Sequence, residues 1–511
     1  MKKLISIYDS CKLPIRMTYF GFILIAIGFL IQNESVNIFY TFTNTYILMI
    51  GEWCLGLGRT IINNLPLIFM IYLVCKKANS GVPIALALIG YFSFMITTAI
   101  FAPQALSTYA YANSSGINTI SPISGISKYP LETGMIGSFI VAYITRYSFI
   151  RSRHRTAHSV LGFLHKDSAA LIYNVVFCII AGMGISYIFP FIYTGLSSLV
   201  TYISKDLSDP YRLAIYGVFD RVLSILGLGN FIRYPFWFTA MGGSYQSLSG
   251  QAIVGDVNIW NLTKDSITTY RGAGRFITPY YAINMFIIPA LYLGIYSSIS
   301  GRQEKVKYAM PIALGIILSV VAGNPLPLEM ILVFTSPVLL LAYLIVVGAV
   351  FAYMSFAEIY LGSNIAANAS PITALPGNFP DFIINLRSVI HYDSLLKIVL
   401  IGLIAGAVIY LFARLYYRTL TFNLINSNRD AMIVDQTVEA LGGYDNVESV
   451  GSGFFRVNFN LFNNENASIE KLQALGVNTI TETKTGIAIE FGSSSYIISK
   501  MVRNVLKEFD R

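Results

Sequence analysis

Residues 331 to 354 are Ile331-Leu-Val-Phe-Thr-Ser-Pro-Val-Leu-Leu-Leu-Ala-Tyr-Leu-Ile-Val-Val-Gly-Ala-Val-Phe-Ala-Tyr-Met354, an apolar run without a charged residue. A helix of this length crosses the ~30 Å hydrocarbon core of a bilayer. Runs of similar character lie at residues 17–32, 61–75, 82–101, 134–150, 170–197, 278–298, 308–322 and 395–416. A weaker run, residues 213–230, contains Asp220 and Arg221. The pattern predicts a polytopic α-helical membrane protein with about ten hydrophobic segments.

The composition indicates a lipid environment for most of the chain. Of the 511 residues, 55% are hydrophobic and 12% are charged, and the mean hydropathy is +0.62. Soluble proteins carry roughly 25% charged residues. The four cysteines are scattered and form no CxxC pair, which argues against a disulfide framework or a zinc site. Because Gly-rich phosphate loops and HExxH motifs are also absent from the sequence, we expect no metal and no cofactor.

Lysine and arginine set the expected orientation, because cytoplasmic loops are enriched in both. Basic residues precede the first run and follow the second and fourth, whereas loops 33–45 and 103–127 contain none. We therefore expect both termini in the cytoplasm. Ten full spans would place the basic loop 301–307 outside, so we expect run 213–230 to span incompletely and Gly323-Asn-Pro-Leu-Pro327 to form a re-entrant turn. The basic stretch 151–158 then indicates contact with anionic lipid and not with nucleic acid.

The last part of the chain has a different composition. From Asp430 onward there are eleven acidic and seven basic residues and no run of membrane length. Helical spacing is present at residues 434–441, 468–475 and 497–505, and residues 454–462 and 486–491 have the pattern of strands. We therefore predict a membrane domain over residues 1–428 and a small cytoplasmic α/β domain over residues 429–511.

Several short motifs resemble, in the same order, the glucose family of phosphotransferase-system (PTS) sugar permeases. In the membrane part they are Asn64-Leu-Pro-Leu-Ile-Phe69, Glu132-Thr-Gly134, Leu161-Gly-Phe163, Phe219-Asp-Arg221 with Gly227-Leu228, and Pro327-Leu-Glu329 before Phe334-Thr-Ser-Pro337. In the C-terminal part they are Ala440-Leu-Gly-Gly443, Val447 and Phe455-Arg456. The resemblance covers nearly the whole chain and implies a IIC membrane domain followed by a IIB-like domain.

This resemblance implies a function and a location. In that family, IIC carries glucose, an α-glucoside or N-acetylglucosamine across the bacterial cytoplasmic (inner) membrane, and a phosphocysteine on IIB phosphorylates the sugar. The expected partners are therefore a sugar of this class, IIA and IIB proteins of the PTS, and the lipid bilayer. Members of the family are typically homodimers, so the resemblance implies a homodimer here.

The C-terminal part departs from the family at the reactive residue. Where the family has its phosphocysteine, this chain has Gly453, which offers no nucleophile. The neighbouring Ser452 has no base close in sequence to generate an alkoxide. Arg456 matches the family pattern and is either an anion ligand or an ordinary solvated surface residue. The IIB-like domain is therefore predicted to be unable to phosphorylate sugar, which leaves the enzymatic status of the chain open.

Glu329 is the first candidate for a sugar ligand. It is a carboxylate in an apolar stretch, and such a group normally faces a cavity and has a partner. Pro325 and Pro327 break the helix just before it. Glu329 is either an acceptor for sugar hydroxyls or the partner of Arg233 or Arg275 in an ion pair that holds the fold.

Three further residues are weaker candidates. Asn230 stands where the family has a histidine and retains hydrogen-bonding capacity, although it does not titrate. Asn64 is either a sugar ligand or a bond to a neighbouring helix. Trp237, in Tyr234-Pro-Phe-Trp237, is the best candidate for stacking on a sugar ring, but abundant aromatics more often form interfacial belts and core. Asp220 and Arg221 project about 100° apart on a helix, so we expect separate partners and a structural or gating role.

Three functions remain open on the sequence alone. The first is a PTS-type permease whose sugar is phosphorylated by a IIB domain on another protein, or not at all. The second is a non-transporting sugar sensor that uses its altered C-terminal domain for signalling or docking, and the third is a relic without sugar activity. Glu329 favours the first, whereas the loss of the cysteine and of the histidines favours the second.

The expected topology predicts the accessibility of residue 303. In a variant without native cysteines, a cysteine introduced by Gln303→Cys is expected to resist a membrane-impermeant thiol reagent added outside the cell, because loop 301–307 is basic and therefore cytoplasmic. Labelling after permeabilisation is the control. Efficient labelling of intact cells would contradict the re-entrant turn.

Overall fold

The computed structural model describes the greater part of the chain and is predominantly helical. The described residues are 12–32, 42–75, 81–103, 106–107, 110–112, 119–120, 127–153, 167–247, 250–264, 272–299, 302–365, 370–386, 389–417, 427–453, 456–474, 480–483, 485–491 and 495–509. The motif at residues 161–163, residues 154–158 of the basic stretch and residues 454–455 lie outside them.

Helices and short strands follow one another along the chain. The first half contains α1 (Lys12–Gln32), α2 (Thr45–Asn63), α3 (Leu65–Cys75), α4 (Val82–Ile100), β1 (Thr119–Ile120), β2 (Ser127–Lys128), α5 (Gly134–Arg153), α6 (Asp167–Ser204), α7 (Pro210–Ile225), α8 (Asn230–Phe238), β3 (Ser244–Gln246), β4 (Ala252–Val254) and α9 (Asp256–Thr263). The second half contains α10 (Thr278–Ala282), a π-helical turn (Ile283–Ile287), α11 (Ile288–Ser297), α12 (Arg302–Ala322), α13 (Leu326–Thr335), α14 (Pro337–Phe356), α15 (Phe379–Asn385), α16 (Tyr392–Leu415), α17 (Ser427–Ala440), β5 (Val447–Ser452), β6 (Arg456–Leu461), α18 (Ile469–Ala474), β7 (Ile480–Thr483), β8 (Gly486–Glu490) and α19 (Ser495–Phe509).

The membrane-spanning class is confirmed by the length and composition of these helices. Within the described residues, six are long and apolar enough to cross a bilayer, namely Leu13–Gln32, Val82–Ile100, Asp167–Ser204, Thr278–Ser297, Pro337–Phe356 and Tyr392–Leu415. The pair α2 and α3 meets the same criterion jointly, with a bend of 59° between them. The remaining expected segments are helical but shorter or less apolar, as in α5, α7, α12 and α13.

Proline interrupts two runs that the sequence analysis treats as continuous. Run 331–354 is divided at Ser336, which has φ −147° and ψ 66°, because Pro337 disfavours helical backbone in the residue before it. In run 61–75, α2 already begins at Thr45, and a new helix starts at Leu65, next to Pro66. The predicted continuous helices are therefore wrong at both places.

The chain divides into two compact units. The N-terminal unit comprises Ser10–Tyr280 and Val347–Lys397, and the C-terminal unit comprises Met1–Asp9, Tyr281–Val346 and Ile398–Arg511. In the N-terminal unit, Asn174 is fully buried on α6, donates to the carbonyl oxygen of Leu86 on α4 at 2.5 Å and accepts from Thr145 on α5 at 3.1 Å. An amide that is satisfied in this way connects three helices where the surrounding side chains are apolar.

A buried charged cluster lies elsewhere in the N-terminal unit. Asp220 on α7 accepts from the guanidinium groups of Arg221 at 2.6 Å and Arg233 at 2.5 Å, and from the hydroxyl of Tyr280 at 2.5 Å. Arg233, on α8, also donates to the carbonyl oxygen of Pro371 at 3.0 Å. The expectation that Asp220 and Arg221 have separate partners is therefore wrong. Although the two Cβ atoms point about 100° apart, the arginine side chain is long enough for its Nε to reach the carboxylate of the preceding residue at 2.9 Å.

The last part of the C-terminal unit, from α17 onward, contains an antiparallel sheet with the strand order β5-β6-β8-β7. It is called the C-terminal region below. Its core includes Val438, Phe459, Leu472, Ile489 and Ile498, so α17, α18 and α19 pack on the sheet. The strands β6 and β8 and all three helices lie where the sequence predicts them. The strands β5 and β7 were not predicted, because β5 has a register irregularity after Val447 and β7 is a largely exposed edge strand.

The charged cluster predicts a large and specific loss of stability. Asp220→Asn keeps the size of the side chain but leaves two buried guanidinium groups without their counter-charge, so the free energy of unfolding is expected to fall by about 3–5 kcal/mol. Thermal unfolding of the purified protein in detergent measures this. The control is Asp393→Asn, which removes an exposed pair with Lys397 on α16 and is expected to cost less than ~0.5 kcal/mol. Equal losses in the two variants would contradict the assignment.

Candidate functional site

The helix break before Glu329 is the most distinctive feature of the C-terminal unit. Helix α12 ends at Ala322, Gly323 adopts φ 59°, and α13 begins only at Leu326. The side chain of Asn324 accepts from the backbone N–H of Leu326 at 2.9 Å, and Asn284 donates to the carbonyl oxygen of Gly323 at 3.0 Å. Side chains therefore satisfy the backbone groups that the break frees, as irregular backbone at membrane depth requires.

The amide that donates to the carbonyl oxygen of Gly323 belongs to a second irregular segment of helix. Asn284 lies in the π-helical turn Ile283–Ile287, and its own carbonyl oxygen accepts from the hydroxyl of Ser319 on α12 at 2.7 Å. Turns of π-helix inside α-helices occur frequently at functional sites. The break at Gly323 that the sequence predicts is therefore present, and the π-helical turn that supports it was not predicted from sequence.

Glu329 lies in the first turn of α13 and is completely buried. Its Oε1 accepts a hydrogen bond of 2.7 Å from the hydroxyl of Tyr343, which is also fully buried. The positive end of the helix dipole favours a negative charge in this first turn. The backbone N–H groups there bind other acceptors, since Leu326 donates to Asn324, and Leu328 and Glu329 donate to the carbonyl oxygen of Pro325. The carboxylate is thus buried and accepts a hydrogen bond from the phenol of Tyr343.

The two arginines that the sequence analysis offers as ion-pair partners of Glu329 have other partners in the N-terminal unit. Arg233 binds Asp220 and Pro371, as described above. Arg275 donates to the backbone carbonyl oxygens of Gly272 at 2.9 Å and Leu207 at 2.5 Å.

Asn230 and Trp237 share the short helix α8. The Oδ1 atom of Asn230 is buried and has no hydrogen-bond partner among the described residues. Trp237 is fully buried, and its indole N–H donates to the hydroxyl of Tyr216 at 3.0 Å. The structure therefore gives Trp237 a packing partner, whereas Asn230 retains a free acceptor.

Asn64 lies at the bend between α2 and α3. Its side-chain amide donates to the carbonyl oxygen of Thr60 at 2.9 Å, and its backbone carbonyl oxygen accepts from Ile68 at 3.1 Å. It lines a cavity of about 50 Å³. The cavity is several times smaller than the ~300–1,000 Å³ of typical ligand pockets, so it holds a water molecule or one hydroxyl group but not a whole sugar ring.

Glu132 lines the same cavity, together with Tyr91. Its carboxylate accepts from the backbone N–H of Gly134 at 3.4 Å, and burial of the carboxyl group raises its pKa to about 7. The motif Glu132-Thr-Gly134 is recognised in the sequence, but no role for its carboxylate is predicted there. The sequence feature that could have indicated one is an acidic residue immediately before an apolar run and close to a glycine.

Packing explains why glycine follows in this motif. Gly134 has φ 52°, and an added Cβ would lie 2.3 Å from the carbonyl oxygen of Leu226. The next residue, Met135, donates its backbone N–H to that same oxygen at 2.8 Å. Gly227 in turn has φ 76°. The backbone at the motif Glu132-Thr-Gly134 therefore contacts the backbone at the motif Gly227-Leu228. Asn230 follows this contact in the sequence.

Two other buried carboxylates of the N-terminal unit accept hydrogen bonds from backbone N–H groups of loops. Asp256 accepts from the N–H groups of Gly274 at 2.7 Å and Phe276 at 3.1 Å, and burial raises its pKa to about 7. Asp381, in the first turn of α15, accepts from the backbone N–H of Asn364 at 3.2 Å and from its side-chain amide at 3.1 Å, and Asn378 caps the helix. Both are bound by loop backbone and are assigned to the fold. Among the described residues, no group of three or more His, Cys, Asp or Glu side chains is placed to hold a metal ion.

Comparisons with known proteins identify the membrane part. The family model described as "Phosphotransferase system, EIIC" matches residues 9–348. The chain belongs to this family. It is therefore a membrane-spanning PTS sugar permease, with a sugar as substrate and IIA and IIB proteins of the PTS as partners.

Two known proteins are similar to this EIIC chain. The "PTS system glucoside-specific EIICBA component" of Staphylococcus carnosus (strain TM300) is 25% identical over 526 residues, which cover 97% of this chain and 72% of that protein. The crystal structure of the transporter ChbC, the IIC component of the N,N'-diacetylchitobiose-specific phosphotransferase system, covers 82% of this chain and 96% of its own at 13% identity. Its TM-score is 0.31, a likeness too weak to guide the assignment of residues.

Glu132 predicts a pH-dependent stability. Because its folded pKa of about 7 exceeds the ordinary 4.5, the stability that it contributes is fully present below pH 4.5 and is lost as pH rises through 7. Between about pH 5 and about pH 8, the melting temperature of the wild-type EIIC protein in detergent is expected to fall by roughly 2 °C or more beyond that of Glu132→Gln. The exposed Glu52→Gln is the control and is expected to follow the wild type. Parallel curves for all three proteins would contradict the raised pKa.

Proposed function

We propose that this EIIC protein translocates a glucose-like sugar or an α-glucoside across the bacterial cytoplasmic membrane. The observation that carries this proposal is Glu329, a buried carboxylate at a helix break, oriented by Tyr343. A carboxylate accepts hydrogen bonds from sugar hydroxyls, and charged acceptors form the stronger ones. The Staphylococcus carnosus relative is named as glucoside-specific, which supports the same class of sugar.

The geometry around Glu329 suits a transport site. The site needs an acceptor for sugar hydroxyls that keeps its orientation when the sugar leaves, and the buried phenol of Tyr343 supports that orientation here. Broken helices at membrane depth are a common way for transporters to expose such groups to a substrate. On the resemblance, three residues of the N-terminal unit are proposed as further sugar ligands, namely Asn230, whose Oδ1 has no hydrogen-bond partner among the described residues, Asn64 and Trp237. Trp237 is the weakest of them because it is fully buried.

We propose in addition that residues 429–511 are a IIB-like domain without phosphoryl relay, and that a IIB domain on another protein phosphorylates the sugar. The observation in support is Gly453, which stands at the position where the resemblance has the phosphocysteine. We further propose that residues 1–428 form the IIC domain, that both termini are cytoplasmic and that the protein is a homodimer. The alternative function is a non-transporting sugar sensor, which the absence of the nucleophile favours.

Uptake of radiolabelled methyl α-glucoside by cells without other permeases for it tests the proposal. In cells that make IIA and IIB proteins of an α-glucoside system, the wild-type chain is expected to accumulate label as the sugar phosphate. In cells without them, any label inside is expected to be the free sugar. Glu329→Gln is expected to lower uptake by about tenfold or more, because a charged hydrogen bond to a hydroxyl is worth ~1.5–3 kcal/mol.

The matched control is Glu52→Gln, the same chemical change at an exposed position on α2, which is expected to leave uptake unchanged. Normal uptake by Glu329→Gln, with wild-type amounts of protein in the membrane, would show that Glu329 is not a ligand. Binding of the sugar by the purified protein without uptake in either host would support the sensor. Sugar phosphate in cells that lack every other IIB domain would show that the relay of this chain is active.

A further inference from the structure

Gly453 and Arg456 flank the connection between strands β5 and β6 in the C-terminal region. The backbone N–H of Gly453 donates to the carbonyl oxygen of Arg456 at 2.8 Å, which draws the two residues together. Gly453 is buried and Arg456 is partly buried. Both contact Tyr308, which lies near the beginning of α12 within the same unit.

The contact between Gly453 and Tyr308 leaves no room for a side chain. A Cβ atom added at position 453 would lie 2.7 Å from Cε2 and from Oη of Tyr308 and 2.9 Å from Cζ. Cβ atoms do not approach other heavy atoms so closely, so the phenol ring would have to move. The backbone of Gly453 therefore packs directly on the face and edge of the ring.

Arg456 makes moving the ring costly. Its Nε donates to the Oη atom of Tyr308 at 3.2 Å, so the hydroxyl that a Cβ at 453 would displace is the one that the guanidinium holds. One phenol thus joins two positions of the β5–β6 connection to α12. A larger residue at 453 and the bond from Arg456 are incompatible in this arrangement.

The beginning of α12 and the C-terminal region have net charges of opposite sign in the sequence. The first turns of α12 contain Arg302, Lys305 and Lys307, whereas the chain from Asp430 onward has more acidic than basic residues. Opposite net charges attract two surfaces over a distance of about a Debye length and favour their encounter.

We propose that these residues form a docking surface, through which the C-terminal region binds helix α12 of its own chain, and that docking requires glycine at position 453. The partner of this surface is thus the Tyr308 face of α12. In this arrangement, Gly453 is a contact residue and not simply the remnant of a lost nucleophile. The inference goes beyond the proposed function, because docking requires neither sugar nor phosphate.

A cleavage assay on the full-length protein in liposomes tests the docking. A protease recognition sequence is inserted between residues 418 and 426, which separate α16 from α17, and sedimentation after cleavage separates docked from released C-terminal fragment. The wild-type fragment is expected to sediment with the liposomes. Gly453→Val is expected to lower the ratio of docked to released fragment by about 5- to 150-fold, the range for overpacking a buried contact.

A double variant tests the contact itself. Tyr308→Ala alone is expected to release the fragment, because it removes the ring and the acceptor of Arg456. In Gly453→Val with Tyr308→Ala, the added side chain occupies the space of the absent ring, so the release is expected to be no greater than with Tyr308→Ala alone. The exposed Glu448→Ala on β5 is the control and is expected to stay docked as the wild type does.

Two results would overturn the proposal. The first is wild-type retention of Gly453→Val or of Tyr308→Ala, and the second is additive release in the double variant. Circular dichroism and thermal melting of the released fragments separate undocking from unfolding. Because Tyr308→Ala leaves the sequence of the fragment unchanged, that fragment must be released in folded form if the proposal is correct.

Discussion

The carboxylate of Asp220 is the interaction on which the N-terminal unit most depends. It holds the guanidinium groups of Arg221 and Arg233 and the hydroxyl of Tyr280, and all four side chains are buried. Charges are expensive in an apolar interior unless each is paired and hydrogen-bonded, so these residues have little freedom to move independently. Since Arg233 lies on α8 and also binds the carbonyl oxygen of Pro371, the cluster fixes the helix that begins with Asn230.

Much of this architecture can be predicted from the sequence, because membrane spans need only length and apolar composition. Val82–Ile100 and Tyr392–Leu415 coincide closely with their predicted runs, and the prolines around residue 325 mark a real break. The pairing of Asp220 with Arg221 was missed because it depends on the rotamer of a long side chain. The cavity that Asn64 shares with Glu132 was missed because residues far apart in sequence line it. The site can therefore be predicted as a set of residue types but not as a set of contacts.

Glu329, proposed as a sugar ligand, and Gly453, proposed as a docking residue, lie in the same unit. The carboxylate of Glu329 lies in the first turn of α13 and accepts a hydrogen bond from a buried phenol, which suits an acceptor for hydroxyl groups. Gly453 lies so close to Tyr308 that an added Cβ atom would collide with the ring. Helix α12 carries Tyr308 near its start and ends at the break before Glu329, with Pro311 inside it. A displacement of the first turns of α12 therefore acts on the helix that precedes Glu329, the proposed sugar-binding residue.

Helix α6 has a consequence for the position of the chain in the bilayer. With 38 residues it is about 57 Å long, nearly twice the ~30 Å of the hydrocarbon core. Fitting it entirely within the core would need a tilt of about 58°, beyond the ~40° upper limit of observed tilts. Thr194, Ser198 and Thr201, in its last turns, bind backbone carbonyl oxygens four residues earlier, so this end is compatible with either lipid or water. A straight helix of this length extends beyond the hydrocarbon core at one end, and Pro190 inside α6 is the position at which the helix can bend, so the part after Pro190 is expected to carry the start of α7 toward the level of the lipid headgroups.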